Sequence, residues 1–250
     1  MIINITNMKT KKTILIISLF LLTIVLFFSN SCTKDSSGGA SPANNGATVK
    51  DTDGNVYNTV TIGKQTWMVE NLKTTHYNDG VTIPYVSDSA DWVNSASAGY
   101  CDYNNFTNNS STYGALYNSY AVNNTAHQLC PKGWHVPTTA EWDTLINYLG
   151  GINVAATALK ERGYSNWSTP NSGTNSSGFT ALPGGVRHGY PTAYVPGQFQ
   201  FMIDDGGWWT STTVSGTQTS VWMFYNYTSL EFINESLNCG SSVRCIKNSN

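Results

Sequence analysis

One stretch of the chain constrains the fold more than any other, namely Cys130-Pro-Lys-Gly-Trp-His-Val-Pro-Thr-Thr-Ala-Glu-Trp142. Within it, Thr138 can accept a hydrogen bond from the amide of Glu141, while the Glu141 carboxylate accepts one from the Thr138 amide. This reciprocal arrangement is a capping box, which marks the start of a helix. Pro137 keeps the incoming chain extended. The stretch therefore predicts a loop that leads into a well-capped helix.

The residues that follow predict which side of this helix is buried. Trp142, Leu145, Ile146 and Leu149 fall at positions i, i+3, i+4 and i+7 and form one apolar stripe. Gly150 then supplies the left-handed residue that commonly ends a helix. We expect this helix to anchor the hydrophobic core.

Several segments resemble, in order, the Fibrobacter succinogenes major paralogous domain, whose most specific motif is Gly-Trp-His-Val-Pro-Thr-x-x-Glu-Trp at positions 133–142. The other matching segments are Asp53–Gly63, Trp67–Lys73, Tyr77–Gly80, Tyr113–Tyr117, Gly178–Gly185, Trp208–Thr212 and Ser242–Lys247. The resemblance covers residues 50 to 247 and points to surface lipoproteins of Bacteroidetes and Fibrobacteres. It implies a C-type-lectin-like fold, related to the formylglycine-generating enzyme scaffold, and no established activity.

The first 32 residues resemble an export signal. Lys9, Lys11 and Lys12 precede an apolar run from Ile14 to Phe28, and small residues follow. This run is shorter than the roughly 17–25 residues of a membrane-spanning helix, so a permanent transmembrane anchor is the weaker interpretation.

Cys32 follows a small residue, as in the cysteine that bacterial lipoprotein processing modifies, although Ser29 and Asn30 depart from the commonest pattern. Several acyl chains on one cysteine give stable membrane attachment. The alternative is ordinary signal cleavage, with Cys32 lost or incidental. The sequence thus predicts an outer-membrane lipoprotein, and Lys34-Asp35 resembles a surface-export tag. The periplasmic face of that membrane remains the alternative address.

Residues 33–48 contain almost nothing that could be buried and are rich in Ser, Gly, Ala and Asn, as in a flexible tether. Residues 49–250 suit one domain, since no second linker or long repeat interrupts them. The whole chain has 11% charged and 12% aromatic residues, a composition typical of a rigid, turn-rich extracellular module.

The charge balance argues against nucleic acid as a partner. Lysine and arginine number 13 against 15 acidic residues, and without the three lysines of the export segment the balance is 10 against 15. Phosphate neutralisation needs clustered basic residues, which this chain lacks.

Four cysteines remain beyond Cys32, an even number that suits an oxidising compartment. Three pairings are possible. Cys101 and Cys245 lie inside motifs that resemble the family pattern, whereas Cys239 looks like an addition. We therefore expect the disulfides Cys101–Cys245 and Cys130–Cys239. A zinc site is disfavoured, because the chain has no Cys-x-x-Cys spacing or His pair.

The fold class predicted is α+β, with two or three short helices around small antiparallel sheets. A hairpin is expected from Val56–Ile62 and Gln65–Glu70 around Gly63-Lys64. Asn153 is a candidate cap for a second helix, Val154 to Arg162, closed by Gly163 and burying Ala155, Ala158 and Leu159. Tyr113, Leu116, Tyr117 and Tyr120 have helical spacing but β-favouring side chains. Short strands are expected at Phe199–Ile203, Trp208–Thr213, Val221–Tyr227, Ser229–Ile233 and Val243–Lys247.

No motif predicts catalysis, a cofactor or a metal. His135 lacks a nearby histidine or paired carboxylate, so a fixed, hydrogen-bonded structural histidine is favoured. Asp204-Asp205-Gly206-Gly207 could offer oxygens to calcium, but acidic turns of this kind are as common without it. The formylglycine-generating activity needs a reactive cysteine pair, and no residues here match both members. We expect a protein that is not an enzyme.

Aromatic and polar residues alternate from Trp208 to Ser241, which is typical of a contact surface for a glycan or a protein. Alternate strand residues face opposite ways, so part of this set fills the core and the rest can reach the surface. The residues predicted to contact a ligand are Trp222, Tyr225, Tyr227 and Glu231. Two alternatives are open: all these aromatics serve the core, or the chain is a structural, adhesive surface protein with no discrete ligand.

We predict that Cys32 carries lipid, because the export segment is too short to span a membrane and ends at a cysteine after a small residue. Metabolic labelling with a palmitate analogue should mark the wild-type chain and not Cys32→Ala, which should also leave the membrane fraction. Unchanged labelling and membrane attachment of Cys32→Ala would show that the lipoprotein assignment is wrong.

Overall fold

Short helices and strands make up the fold, because turn-forming residues interrupt the chain every few positions. The computed structural model describes residues 46–190 and 195–249, which fall within one compact unit, Ala40–Asn250. The strands are β1 (Thr48–Lys50), β2 (Val56–Ile62), β3 (Gln65–Met68), β4 (Tyr100–Cys101), β5 (Leu116–Tyr117), β6 (Trp134–His135), β7 (Val186–Arg187), β8 (Phe199–Gln200), β9 (Asp205–Val214), β10 (Thr217–Phe224), β11 (Leu230–Glu235) and β12 (Ile246–Lys247).

The helices are α1 (Ser89–Asn94), α2 (Thr107–Tyr113), α3 (Ser119–Val122), α4 (Thr139–Tyr148) and α5 (Ala155–Leu159), with a single 3₁₀ turn at Tyr103–Asn105. The α+β class is confirmed. In the described ranges there are five short helices rather than two or three.

The strands form small antiparallel sheets. One has five strands in the order β1-β2-β3-β12-β6, another has three in the order β11-β10-β9, and β4-β5 and β7-β8 form two-stranded sheets. The predicted hairpin of β2 and β3 is confirmed, with Ile62 opposite Gln65 across the turn. The predicted strands near 200–233 exist, but their ends differ from the predicted ones by up to four residues.

The last part of the chain joins these sheets to one another. Residues of this segment pair with five separate strands: Gly240 with Arg187, Ser241 with Tyr117, Ser242 with Trp208, and Ile246 with both Trp67 and His135. The segment 240–247 therefore holds the sheets in fixed relative positions.

The capped helix is present as predicted. The Thr138 hydroxyl accepts from the Glu141 amide, and the Glu141 carboxylate accepts from the Thr138 amide at 2.8 Å. Trp142, Leu145 and Ile146 are buried and Leu149 is half-buried. Gly150 follows the helix with φ of 101°, in the region that favours glycine.

The main core is built on three aromatic rings that contact one another. The Trp67 and Trp142 ring centroids are 5.0 Å apart, and Phe179 lies 5.6 Å from Trp67 and 5.7 Å from Trp142. Val221 and Met223 of β10 pack into the same cluster. The hairpin, the capped helix and the three-stranded sheet thus share one hydrophobic interior.

Two helix predictions need correction. The second helix is only Ala155–Leu159, with Val154 rather than Asn153 at its cap position and no side-chain capping bond. Lys160 ends it in an extended conformation because its side chain turns into the interior, so the helix does not reach Gly163. The helical spacing of residues 113–120 forms no single helix, since Gly114 adopts φ of 78° and separates α2 from β5.

Both predicted disulfide pairings are wrong. The structure joins Cys130 to Cys245, with 6.0 Å between their Cα atoms, and leaves Cys101 and Cys239 as buried free thiols. Long-range strand pairing holds the two cysteine-bearing segments together. Cys130 lies four residues before β6 and Cys245 directly before β12, and β6 and β12 pair through His135 and Ile246.

His135 is hydrogen-bonded through both ring nitrogens, as predicted, but one partner is the Glu141 carboxylate, which the sequence pattern did not pair with it. Its Nδ1 lies 2.7 Å from the Asn248 side-chain oxygen, and its Nε2 lies 2.8 Å from a Glu141 carboxylate oxygen. The hydrogen bond to Glu141 raises the pKa of His135 above its ordinary value. Burial acts to raise the pKa of Glu141, but hydrogen bonds from His135 and Thr138 outweigh it and lower that pKa overall. The pair also ties β6 to the capped helix.

The predictions for the export segment 1–32, with Cys32, and for most of the tether 33–48 fall on residues outside the described ranges. Among residues 46–190 and 195–249, no helix has the length and apolar character needed to cross a membrane.

Replacing Leu145, which is fully buried, with alanine should destabilise the protein by about 2–5 kcal/mol, because the change leaves a cavity in the core. Thr138→Ala should cost about 1 kcal/mol through loss of the cap. Denaturant unfolding measures both changes. Asp143→Ala, on the exposed side of the same helix, should stay within about 0.5 kcal/mol and serves as the control. Equal effects at Leu145 and Asp143 would contradict this helix orientation.

The His135–Glu141 pair should make stability depend on pH. The raised His135 pKa adds stability that is complete below about pH 6.5 and declines as pH rises through the folded pKa. The lowered Glu141 pKa adds stability that is complete above about pH 4.3 and declines as pH falls through its folded value. The stability difference between wild type and His135→Gln should therefore be largest between these limits. Because both groups are about one-third exposed, it should not exceed about 1 kcal/mol. A difference that does not vary with pH would contradict the pairing.

Candidate functional site

Five rings lie in contact along the face of the three-stranded sheet that points away from the main core. From centroid to centroid, His188 lies 6.2 Å from Phe201, Phe201 6.4 Å from Trp222, Trp222 6.1 Å from Phe224, and Phe224 5.6 Å from Tyr227. We call these five residues the aromatic row. Spacings of this size are the ones at which aromatic pairs attract one another.

The strand alternation of β10 places two of these rings on this face. Val221 and Met223 point into the main core, so Trp222 and Phe224 point to the opposite side, where their rings stack at an interplanar angle of 23°. Tyr225 has the parity of Val221 and Met223, and it packs against the main core. Because successive side chains alternate between the two faces, Tyr225 lies on the opposite side from the aromatic row.

Trp222 is the buried centre of the row, with only 6% of its surface exposed. It faces Gly207 of β9, where an added Cβ would come within 3.1 Å of the indole. Its Nε1 donates to the Ser220 hydroxyl at 2.8 Å and to the buried Glu235 carboxylate at 2.9 Å. Burial raises the pKa of Glu235. These contacts fix the orientation of the indole.

Phe201 and Tyr227 form the exposed parts of the row, with 41% and 51% of their surfaces accessible. Phe201 adopts φ of 68°, a left-handed conformation that is unusual for a bulky residue. Its carbonyl accepts the amides of Asp204 and Asp205 at 3.0 and 2.8 Å, which holds the turn into β9. Strained residues of this kind cluster at binding and catalytic sites.

Tyr227 lies in the β10–β11 loop, which a buried lysine fixes from below. Lys160 Nζ donates to the carbonyl oxygens of Phe224, Tyr225 and Tyr227 at 2.8, 3.0 and 2.8 Å. Burial lowers the pKa of this ammonium to about 8, so it remains mostly protonated at neutral pH. The exposed ring is therefore carried by backbone that is already ordered.

Two carboxyl groups flank the row on the neighbouring strands. Asp205 of β9 lies opposite Phe224, and the exposed Glu231 of β11 lies opposite Trp222. Directly paired residues in an antiparallel sheet share a face, so both side chains emerge beside the rings. Burial, with a smaller effect of the neighbouring Asp204 carboxylate, raises the pKa of Asp205 to about 6.

The four residues predicted to contact a ligand have different positions in the structure. Tyr227 is an exposed member of the row and Glu231 is exposed beside it, whereas Trp222 is a buried member and Tyr225 packs against the core. Trp222 and Tyr225 are therefore not exposed anchors. Sequence reasoning missed Phe201, which was assigned to a strand, because nothing in the sequence signals its left-handed backbone.

The two free thiols are not activated for chemistry. Burial raises the pKa of Cys101 to about 12. Burial, reinforced by the nearby Glu235 carboxylate, raises the pKa of Cys239 above its ordinary value. A nucleophilic thiol needs the opposite shift. Within the described ranges, no group of three or more His, Cys, Asp or Glu side chains could hold a metal ion.

Fold and site together define an α+β domain with a disulfide-tied C-terminal segment and a rigid, partly exposed row of rings on its smaller sheet. The chain matches the Fibrobacter succinogenes major domain over residues 60–247, and it belongs to that family. Comparison with curated proteins and with solved structures finds no significant match.

Proposed function

We propose that this protein is a surface-anchored lipoprotein whose domain binds a glycan through the aromatic row. The observation that carries the proposal is the pair of exposed rings, Phe201 and Tyr227, which the rings of Trp222 and Phe224 connect and which lie beside the carboxyl groups of Asp205 and Glu231. Binding sites typically combine apolar and aromatic surface with a few placed polar groups.

The chemistry of the row suits a saccharide. The C–H faces of a pyranose ring are apolar and can lie against an aromatic ring, while its hydroxyl groups can donate to carboxylates. Phe201 and Tyr227 would supply ring surface, and Asp205 and Glu231 would accept hydroxyl protons. A planar ring presented on ordered backbone also loses little conformational entropy on binding.

The membrane address and the C-type-lectin-like fold belong to the same proposal. The address is supported by the export segment and the position of Cys32. The lectin-like fold is supported by the family membership, the α+β class and the C-terminal segment that joins the sheets. Binding without catalysis is supported by the raised pKa values of both free thiols. The competing idea is a structural surface protein with no ligand.

The test uses the full chain in detergent against an array of oligosaccharides and surface proteins. For a glycan that binds, Phe201→Ala and Tyr227→Ala should each weaken binding, because each removes an exposed ring contact. Loss of a true anchor costs about 2 kcal/mol, which corresponds to about a 30-fold higher Kd. Phe106→Ala, at an aromatic residue that is 66% exposed and outside the row, is the matched control and should bind like wild type.

Thermal melts of all variants separate loss of binding from loss of folding. A glycan whose Kd is the same for all three variants would place its site elsewhere and contradict the proposal. Binding only to a protein, lost in the same two variants, would keep the row and replace the ligand class. No binding to any probe would support the structural alternative.

A further inference from the structure

A surface cavity formed by residues outside the aromatic row lies between the β2–β3 hairpin and the capped helix. It measures about 550 Å³ and is lined by Lys64 and Thr66 of the hairpin, Thr144 of α4, and Lys247 and Asn248 at the end of β12. A neighbouring cavity of about 300 Å³ shares Lys64 and Thr144 and extends to Tyr148. The shared residues make the two cavities one groove, which we call the lysine groove.

The strand register and the cavity lining together bring the two lysines to one groove. Ile246 pairs with Trp67 in antiparallel order, so continuing that register sets Lys247 opposite Thr66. Lys64 lies in the hairpin turn, two residues before Thr66, and it lines the same cavity as Thr66 and Lys247. Both lysines are exposed, and neither forms an ion pair with a carboxylate in residues 46–190 and 195–249.

The lysine groove is positively charged, whereas the chain as a whole has more acidic than basic residues. Nine basic residues lie in the described ranges and three of them are buried, so Lys64 and Lys247 are two of the remaining six. The one carboxylate that lines the groove, Glu141, is already hydrogen-bonded to His135 and Thr138. Two lysines against one carboxylate leave the groove with a net positive charge, which favours an anionic ligand.

The far end of the groove is aromatic. Tyr148 is 65% exposed, and its ring lies against the hairpin turn, since a Cβ on Gly63 would come within 3.0 Å of it. Gly63 itself has φ of 61°, a left-handed conformation that favours glycine. A larger residue at this position would also crowd the Tyr148 ring. Between this ring and the lysines, Thr66, Thr144 and Asn248 offer hydrogen-bonding groups.

The geometry points to a second binding site in the lysine groove, for a saccharide that carries a carboxylate, such as a uronic acid residue. The carboxylate would lie between Lys64 and Lys247, the sugar hydroxyls would bond to the threonines and Asn248, and the apolar sugar face would lie against Tyr148. Each part of such a residue finds a complementary group in this one groove.

Trigalacturonate is the probe, and its methyl ester, which is uncharged and of equal length, is the control ligand. Calorimetric titration of the full chain in detergent should detect trigalacturonate binding at millimolar or lower concentration, and weaker binding of the ester. Lys64→Gln and Lys247→Gln should each raise the Kd about two- to fivefold, the range expected for exposed ion pairs. Added salt should weaken binding further.

Two variants assign the effect to this groove. Lys132→Gln removes an exposed lysine outside it and should leave the Kd unchanged. Phe201→Ala should also leave it unchanged, since that residue belongs to the aromatic row. Failure of trigalacturonate to bind, or equal affinity of the ester, would overturn the inference. So would a Kd that responds to Phe201→Ala but not to the lysine variants, or equal binding of triglutamate.

Discussion

Backbone carbonyl groups outside regular structure are the main constraint on this fold, and buried cations satisfy many of them. A chain with such short elements leaves many carbonyls without a ladder partner, and burying them unpaired is costly. Lys160 donates to three carbonyls and Arg187 to four. Arg244 donates to the Asn71 side chain and to the carbonyls of Phe179 and Thr180. None of these three cations forms an ion pair in the described part of the chain.

These cations also lie against aromatic rings, which connects loop structure to the core. Arg244 lies 4.3 Å from the Phe179 ring, one of the three rings at the centre of the core, and Arg187 lies 4.6 Å from Trp92. A positive charge over an aromatic face is attracted by the electron-rich ring. Each cation therefore joins a loop to the hydrophobic interior. At Lys160 this arrangement determines the position of the loop that carries Tyr227, so the candidate site depends on a buried residue outside the aromatic row.

Local patterns predicted the parts of the fold that local interactions determine. The capping box at Thr138 and Glu141, the hairpin turn at Gly63-Lys64 and the burial of Trp142 follow from residues within a few positions of one another. The disulfide did not follow, because it depends on the pairing of β6 with β12, more than 100 residues apart in sequence. The site was predicted in part. Strand parity sets Trp222 and Tyr225 on opposite faces, but the sequence could not show that packing on the two faces would bury Trp222 and partly bury Tyr225. Phe201 was missed because its position depends on the turn that precedes β9.

The Cys130–Cys245 disulfide has a consequence for resistance to proteolysis. It joins residues 115 positions apart and encloses the loops and strands that carry the aromatic row. A single backbone cut anywhere between these cysteines opens the chain but releases no fragment, because both halves stay covalently joined. Exposed loop tips are the places where proteases cut first. In an oxidising compartment, a molecule nicked there would keep its C-terminal segment hydrogen-bonded between the sheets, and damage to a loop would not become loss of the domain.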